Sequence, residues 1–188
     1  INYKPITVGG TFPGLKYKKK NQDNQSKYEQ ITNAIKYFKN LKNQQIIIFA
    51  RYNLYLHRSY FDNGEGGLEK KGVGKNFLNY PNYYIDFKNK KPLTKNIILK
   101  EFDIFLKQLL DKNNKVIIVY PTPELGFNLT NKVSKNNIFN FEKKIASAEK
   151  SKSFTTSYTK YKNRNYEIIN YLNSIFHKNL KKIKNHEL

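Results

Sequence analysis

The chain has 188 residues, enough for one α/β domain with a hydrophobic core, and no apolar run is long enough to cross a membrane. Cysteine is absent, which excludes disulfides, thiolate zinc sites and thiol nucleophiles. The net charge of +21 accompanies much asparagine, isoleucine and tyrosine, so an adenine- and thymine-rich genome explains the lysines without any partner. Ile1 stands first and no methionine occurs, so we expect part of a longer polypeptide and treat residues 1–188 as a single, partial domain.

The first half of the chain predicts a loop, a helix and a strand. Residues 1–25 are rich in glycine, proline and polar residues. Ser26 and Glu29 have capping-box spacing, which predicts a helix starting at Ser26. Its apolar face is Tyr28, Ile31, Ile35, Phe38 and Leu41. A strand follows at about 45–50, and residues 51–93 are predicted to be a long irregular connection.

The second half predicts two more helices and two strands. Thr94 is suited to cap a helix that Asn113 and Asn114 end, and a strand follows at 115–120. The apolar face of that helix is Ile98, Phe102, Phe105, Leu106 and Leu109. Residues 121–157 are irregular, and a third helix places Tyr161, Ile168, Leu172, Ile175 and Phe176 on one side. Lys181-Lys182-Ile183 can begin a further strand.

Two short, wholly apolar runs carry the prediction of the fold class and of the site. Ile46–Ala50 and Val116–Tyr120 lack polar alternation, which is typical of parallel strands buried on both faces. Helices alternating with such strands predict a parallel sheet between helical layers. Ligands of open parallel sheets bind beyond the carboxyl ends of the strands, so the residues that follow each run are the place to seek chemistry.

Arg51 and Glu124 are the candidate binding residues at this edge, together with Tyr52. An arginine here can bind an anionic or carbonyl oxygen, or can form a structural ion pair with Glu124, and the two roles are compatible. Pro121 and Pro123 stiffen the loop, which is the simpler reason for their presence.

Other candidate motifs carry little chemistry. The glycine segment 64–75 fits neither a dinucleotide-binding pattern nor a P-loop and is predicted to be a loop. His57 is predicted to lie on the surface near the binding edge, His177 within the third helix, and His186 in a charged tail. They do not make a metal site, no cofactor is indicated, and no catalytic serine, histidine or aspartate can be identified.

Two segments nevertheless resemble a known family. Ile46–Leu56, reading IIIFARYNLYL, resembles the strand and Ala-Arg-Trp block of the SGNH domains fused to membrane acyltransferases of family three. Val116–Phe127, reading VIIVYPTPELGF, resembles that family's Pro-x-Pro-Glu block, and Thr11–Gly14 is similar to its proline-containing loop. Tyr52 departs from the family's tryptophan.

The resemblance implies a three-layer α/β/α, flavodoxin-like fold on the periplasmic or outer side of the membrane. It also implies a membrane acyltransferase domain as partner, in the same polypeptide, and O-acetylation of a cell-surface glycan such as lipopolysaccharide through a serine acyl-enzyme. Arg51 would stand where other SGNH enzymes carry an oxyanion-binding asparagine. The family's Gly-Asp-Ser-His and Asp-x-x-His blocks are expected before residue 1 and after residue 188, so we predict no esterase activity for the chain by itself.

Two alternatives stay open. A basic protein that binds nucleic acid or another anionic polymer predicts steep salt dependence and lysines gathered on one face. A non-catalytic module that holds a glycan predicts a parent gene without an upstream Gly-Asp-Ser block.

Overall fold

The computed structural model describes residues 12–15, 17, 25–57, 61, 84–85, 91–124 and 156–184. In these ranges the chain forms four helices and three strands. The elements in chain order are α1 (Gln25–Asn40), β1 (Gln45–Ile48), α2 (Tyr52–Leu56), α3 (Lys95–Leu110), β2 (Lys115–Val119), α4 (Tyr158–Ser174) and β3 (Leu180–Ile183).

The three strands form one parallel sheet in the order β1-β2-β3. Ile46 pairs with Val116 in β1 and β2, and Val116 pairs with Leu180 in β2 and β3. The predicted parallel arrangement and the strand suggested at 181–183 are therefore confirmed. All carboxyl ends lie at one edge, here called the C-terminal rim, and all amino ends at the opposite edge, the N-terminal rim.

The prediction that both apolar runs are buried on both faces is wrong for β1. Its residues alternate between exposed and buried: Ile46 and Ile48 lie in the core, whereas the side chains of Ile47 and Phe49 are more than half exposed. Because side chains alternate along a strand, one face of β1 is covered and the other is not.

The helices pack around one aromatic-rich core. Ile31 and Ile35 of α1 are buried, and all five predicted apolar residues of α3 are buried as well. The Phe102 ring lies 6.3 Å from the ring of Tyr171, which joins α3 to α4. Gly14 has a positive φ of 76°, and a Cβ there would lie 2.4 Å from the Phe105 ring, so this turn requires glycine.

Several predicted helix ends need correction. Thr94 does cap α3, because its hydroxyl accepts a hydrogen bond from the Ile97 amide at 3.4 Å. Helix α1 begins at Gln25, so Ser26 lies inside the helix and is not the N-cap. Helix α4 ends at Ser174, which leaves Phe176 outside it and 85% exposed and His177 in the following turn.

The N-terminal rim is built from three loops, 41–44, 111–114 and 175–179, which hydrogen bonds tie side by side. The buried Asn114 side chain accepts from the Gln44 amide and donates to the carbonyls of Leu41 and Leu109. Above it, Asn113 donates to Asn43 at 2.8 Å. Asn179 in turn donates to Asn113 at 3.2 Å. The loops are therefore held by amide groups.

Within the described ranges, every helix is too short or too polar to span a lipid bilayer.

Candidate functional site

Arg51 and Glu124 meet at the C-terminal rim, as the sequence predicts. Arg51 follows β1 directly, and Glu124 comes five residues after β2. A guanidinium nitrogen of Arg51 donates to Glu124 Oε1 at 2.6 Å. The Arg51 side chain is 43% exposed and that of Glu124 only 14%. The carboxylate is thus largely covered, whereas the guanidinium has a solvent-facing side.

A second arginine, Arg164 of α4, completes this ion-pair cluster. Its Nε donates to the other oxygen of Glu124, Oε2, at 2.9 Å. Arg164 is 11% exposed, and its guanidinium lies 5.0 Å from the centre of the Phe61 ring. One carboxylate therefore links two arginines from different elements. Charge-assisted bonds to both of its oxygens fix the direction in which Arg51 points.

The first turn of α4 and Thr156, just before it, also hold the loop that carries Glu124. The hydroxyl of Tyr161 donates to the carbonyl of Pro121 at 2.7 Å, and the hydroxyl of Thr156 donates to the backbone carbonyl of Glu124 at 2.9 Å. Burial and the nearby Tyr158 raise the pKa of Tyr161, which keeps its hydroxyl protonated as a donor. The loop is positioned by α4 as well as by its prolines.

Tyr52, the third candidate residue, lies in the core. It begins α2, a short helix that replaces the irregular segment predicted directly after Arg51. Its side chain is fully buried, and its hydroxyl donates to the carbonyl of Val119 at the end of β2 at 3.2 Å. Burial, with a further contribution from Tyr120, raises the pKa of Tyr52. The Tyr52 side chain packs in the core and contacts the end of β2, next to the C-terminal rim. A binding role for Tyr52 stays a prediction.

A pair of buried amides lies beside Tyr52. Asn53 of α2 donates to the side chain of Asn165 in α4, and Asn165 donates to the carbonyl of Tyr161 at 2.8 Å. Both side chains are buried, so the two helices that meet under the rim are joined by hydrogen bonds that solvent does not reach.

His57 caps the carboxyl end of α2 and faces a second ion pair. Glu167 of α4 lies 2.6 Å from Lys95 Nζ, and His57 Nε2 lies 3.9 Å from the same carboxylate oxygen. Burial first, and then Lys95 and Arg164, lower the pKa of His57. The bond from Lys95 lowers the pKa of Glu167. The histidine is therefore partly buried, near the rim, and neutral at neutral pH.

Arg164 was missed by the sequence reasoning, although two signals point to it. Only three of the 35 basic residues are arginines, and two of these three, Arg51 and Arg164, bind Glu124. In a chain that otherwise uses lysine, arginine marks positions where its planar fork is needed. Arg164 also lies three residues after Tyr161 and four before Ile168, on the buried face of α4, where a charge needs a partner.

A cleft lined by described residues lies elsewhere and is apolar. It encloses about 140 Å³ between α1, α3 and the open side of β1, and its lining includes Phe12, Ile35, Phe38 and Phe49. No ionisable side chain lines it, so we place the candidate site at the C-terminal rim. In the described ranges no three His, Cys, Asp or Glu side chains come together to hold a metal ion. His186 and the glycine segment 64–75 lie outside those ranges.

A parallel sheet with packed helices and a charged cluster at its C-terminal rim defines an α/β domain. The family comparison then gives the particular class. Residues 1–184 match the family described as "SGNH domain (fused to AT3 domains)", and the chain belongs to that family. The comparison with curated proteins and the comparison with solved structures gave no match.

Membership confirms the resemblance drawn from the two strand-end segments and, with the parallel sheet, the three-layer α/β/α class. It supports an acyltransferase-associated role, with an AT3 membrane acyltransferase domain in the same polypeptide and a membrane protein as the parent.

Proposed function

We propose that this domain takes part in the O-acetylation of a cell-surface glycan, on the periplasmic or outer side of the membrane. In this reaction a serine oxygen attacks the acyl carbon of a donor and the donor's leaving group departs with a proton. A sugar hydroxyl then attacks the acyl-serine, forms the ester and returns the proton to the serine. Membership in a family fused to acyltransferase domains supports the proposal. No residue of this chain is assigned as nucleophile or base.

The observation that carries the proposal is the arrangement of Arg51. Its guanidinium is fixed by a carboxylate that Arg164 also binds, and it stays partly exposed at the rim where parallel α/β proteins bind ligands. A guanidinium keeps its charge at every physiological pH. We assign it to bind an oxygen on which negative charge develops, either in the tetrahedral intermediate or on the glycan. Glu124 orients it.

The experiment measures the O-acetyl content of the surface glycan in a strain whose parent gene is deleted and then restored with variants. Arg51→Ala should lower the rate of acetyl transfer about 100-fold, as loss of one oxyanion donor does, and so strongly reduce the O-acetyl content. Arg51→Lys should restore only part of it. Lys100→Ala, an exposed lysine of α3, is the matched control and should leave the O-acetyl content unchanged.

Two outcomes separate the parts of the proposal. Deletion of the gene without any change in O-acetylation would overturn the function. Normal O-acetylation with Arg51→Ala, at equal protein level, would overturn only the role of Arg51.

The alternative of a nucleic-acid-binding protein rests on the net charge. Exposed lysines occur on α1, α3 and α4, for example Lys36, Lys100 and Lys162, so the charge is not confined to one face. This distribution favours the compositional explanation of the lysines. Binding of duplex DNA with a steep salt dependence would favour the alternative.

A further inference from the structure

The N-terminal rim brings several lysines together at one edge of the sheet. The three loops and the first residue of β2 bring together four lysines, Lys42, Lys112, Lys115 and Lys178, with Asp111 as the one acidic residue. None of the four lysines takes part in an ion pair with any residue of the described ranges. We call these four side chains the basic rim.

The loops force these charges onto one edge. Asn43 donates its backbone amide to the Lys112 carbonyl at 3.2 Å, and Lys115 donates its amide to the Gln44 carbonyl at 2.8 Å. Asn179, beside Lys178, accepts from the Val116 amide at 2.9 Å. Because like charges repel, such a grouping without counter-ions is typical of surfaces that meet an anionic partner.

An aromatic side chain projects from the same rim. Phe176 is 85% exposed, the most exposed of the large hydrophobic residues in the described ranges. Lys182 Nζ lies 4.7 Å from the centre of its ring. A protruding aromatic ring among lysines suits the boundary between lipid headgroups and acyl chains, where aromatic residues are enriched. The phosphate backbone of duplex DNA would contact the lysines but would offer no apolar region for the Phe176 ring.

We propose that the N-terminal rim docks onto an anionic lipid surface, with the basic rim binding headgroup phosphates and Phe176 inserting at the interface. Membership in a family fused to membrane domains places such a surface within reach. The sheet is only four or five residues deep, about 15 Å, so the Arg51 cluster on the opposite rim stays in water above the lipid. This inference does not depend on the glycan reaction.

The first test measures binding of the 188-residue protein to vesicles by sedimentation. We expect binding to phosphatidylcholine vesicles that contain phosphatidylglycerol, and little binding to phosphatidylcholine alone. Each lysine near an anionic surface contributes about fivefold to binding. Changing Lys42, Lys112, Lys115 and Lys178 to Gln should therefore weaken it by more than about 100-fold. The control changes Lys36, Lys91, Lys100 and Lys162 to Gln, which removes equal charge away from the rim and should weaken binding much less.

The second test locates the contact. The chain has no tryptophan, so Phe176→Trp introduces a single fluorescent reporter. Its emission should shift to the blue when phosphatidylglycerol vesicles are added, because the ring leaves water. Tyr166→Trp, another exposed aromatic position but on α4, is the control and should not shift.

Three results would overturn the proposal. One is an equal loss of vesicle binding in both lysine variants, since binding would then follow net charge alone. Another is vesicle binding without a blue shift at Phe176→Trp. The third is duplex DNA binding that depends on the basic rim while vesicles do not bind, which would assign the rim to nucleic acid.

Discussion

The two rims of the small sheet differ in how their charged side chains are paired. At the C-terminal rim each described cation near the site has a carboxylate: Arg51 and Arg164 share Glu124, and Lys95 binds Glu167. At the N-terminal rim amide groups hold the loops, and the four lysines of the basic rim form no ion pair with a described residue. Both arginines of the described ranges, Arg51 and Arg164, lie at the C-terminal rim, where their directional donors bind Glu124.

The largest effect should come from removing the amide that holds the N-terminal rim. Asn114→Ala abolishes three hydrogen bonds of a fully buried side chain and leaves a backbone amide and two carbonyls without that partner. We expect the free energy of unfolding to fall by about 3 kcal/mol, measured by urea denaturation. Asn113→Gly is the control: its exposed side chain bonds only other side chains and its positive φ suits glycine, so the loss should stay below about 1 kcal/mol. Equal losses would show that the buried amide is not what holds this rim.

Glu124→Gln tests the ion pairs of the C-terminal rim. The variant keeps the shape of the side chain but removes the Glu124 carboxylate from Arg164, which is nearly buried. We expect a loss of about 2 kcal/mol in the free energy of unfolding. Glu167→Gln removes a carboxylate that is half exposed and should cost no more than about 0.5 kcal/mol. If both variants lose the same amount, burial does not distinguish the two ion pairs.

The meeting of Arg51 and Glu124 was predictable from sequence because it follows from topology. Both residues follow apolar runs, and parallel strands place such ends at one edge. The apolar faces of α1 and α3 were predictable for a similar reason. Apolar residues that recur every three or four positions lie on one face of a helix, and that face is the buried one. In each case one local pattern fixes the result.

The features that the sequence did not predict depend on contacts between residues distant in sequence. Arg164 lies 40 residues after Glu124, beyond a long connection, and no local pattern joins the two. The end of α4 was placed too late because Phe176 continues the apolar period of the helix, yet the chain turns at Ile175 to enter β3. The exposed side of β1 was missed because an apolar run alone does not tell which faces will be covered.

A smaller effect concerns the dependence of stability on pH, which His57 controls. Burial and two cations lower its pKa in the folded state below the ordinary value of 6.5. Below pH 6.5 the unfolded chain therefore binds a proton that the folded chain does not, and stability falls as the pH drops. Glu167 contributes in a lower window: its lowered pKa adds stability above pH 4.5 that is lost on further acidification.

His57→Gln should therefore abolish the loss of stability that begins below pH 6.5 and leave the Glu167 loss below pH 4.5 in place. Thermal unfolding across this pH range measures both windows. A profile of His57→Gln that coincides with the unmodified protein would contradict the assignment.

The smallest effect separates the two rims by their response to salt. If the lysines of the basic rim repel one another, changing all four to Gln should raise the free energy of unfolding by at most about 0.5 kcal/mol at low salt. The gain should vanish at high salt, because exposed charges are screened there. The Glu124→Gln loss should persist at high salt, since its partner Arg164 is nearly buried. Denaturation of both variants at low and high salt makes the comparison, and a gain for the lysine variant that survives high salt would mean that repulsion is not its cause.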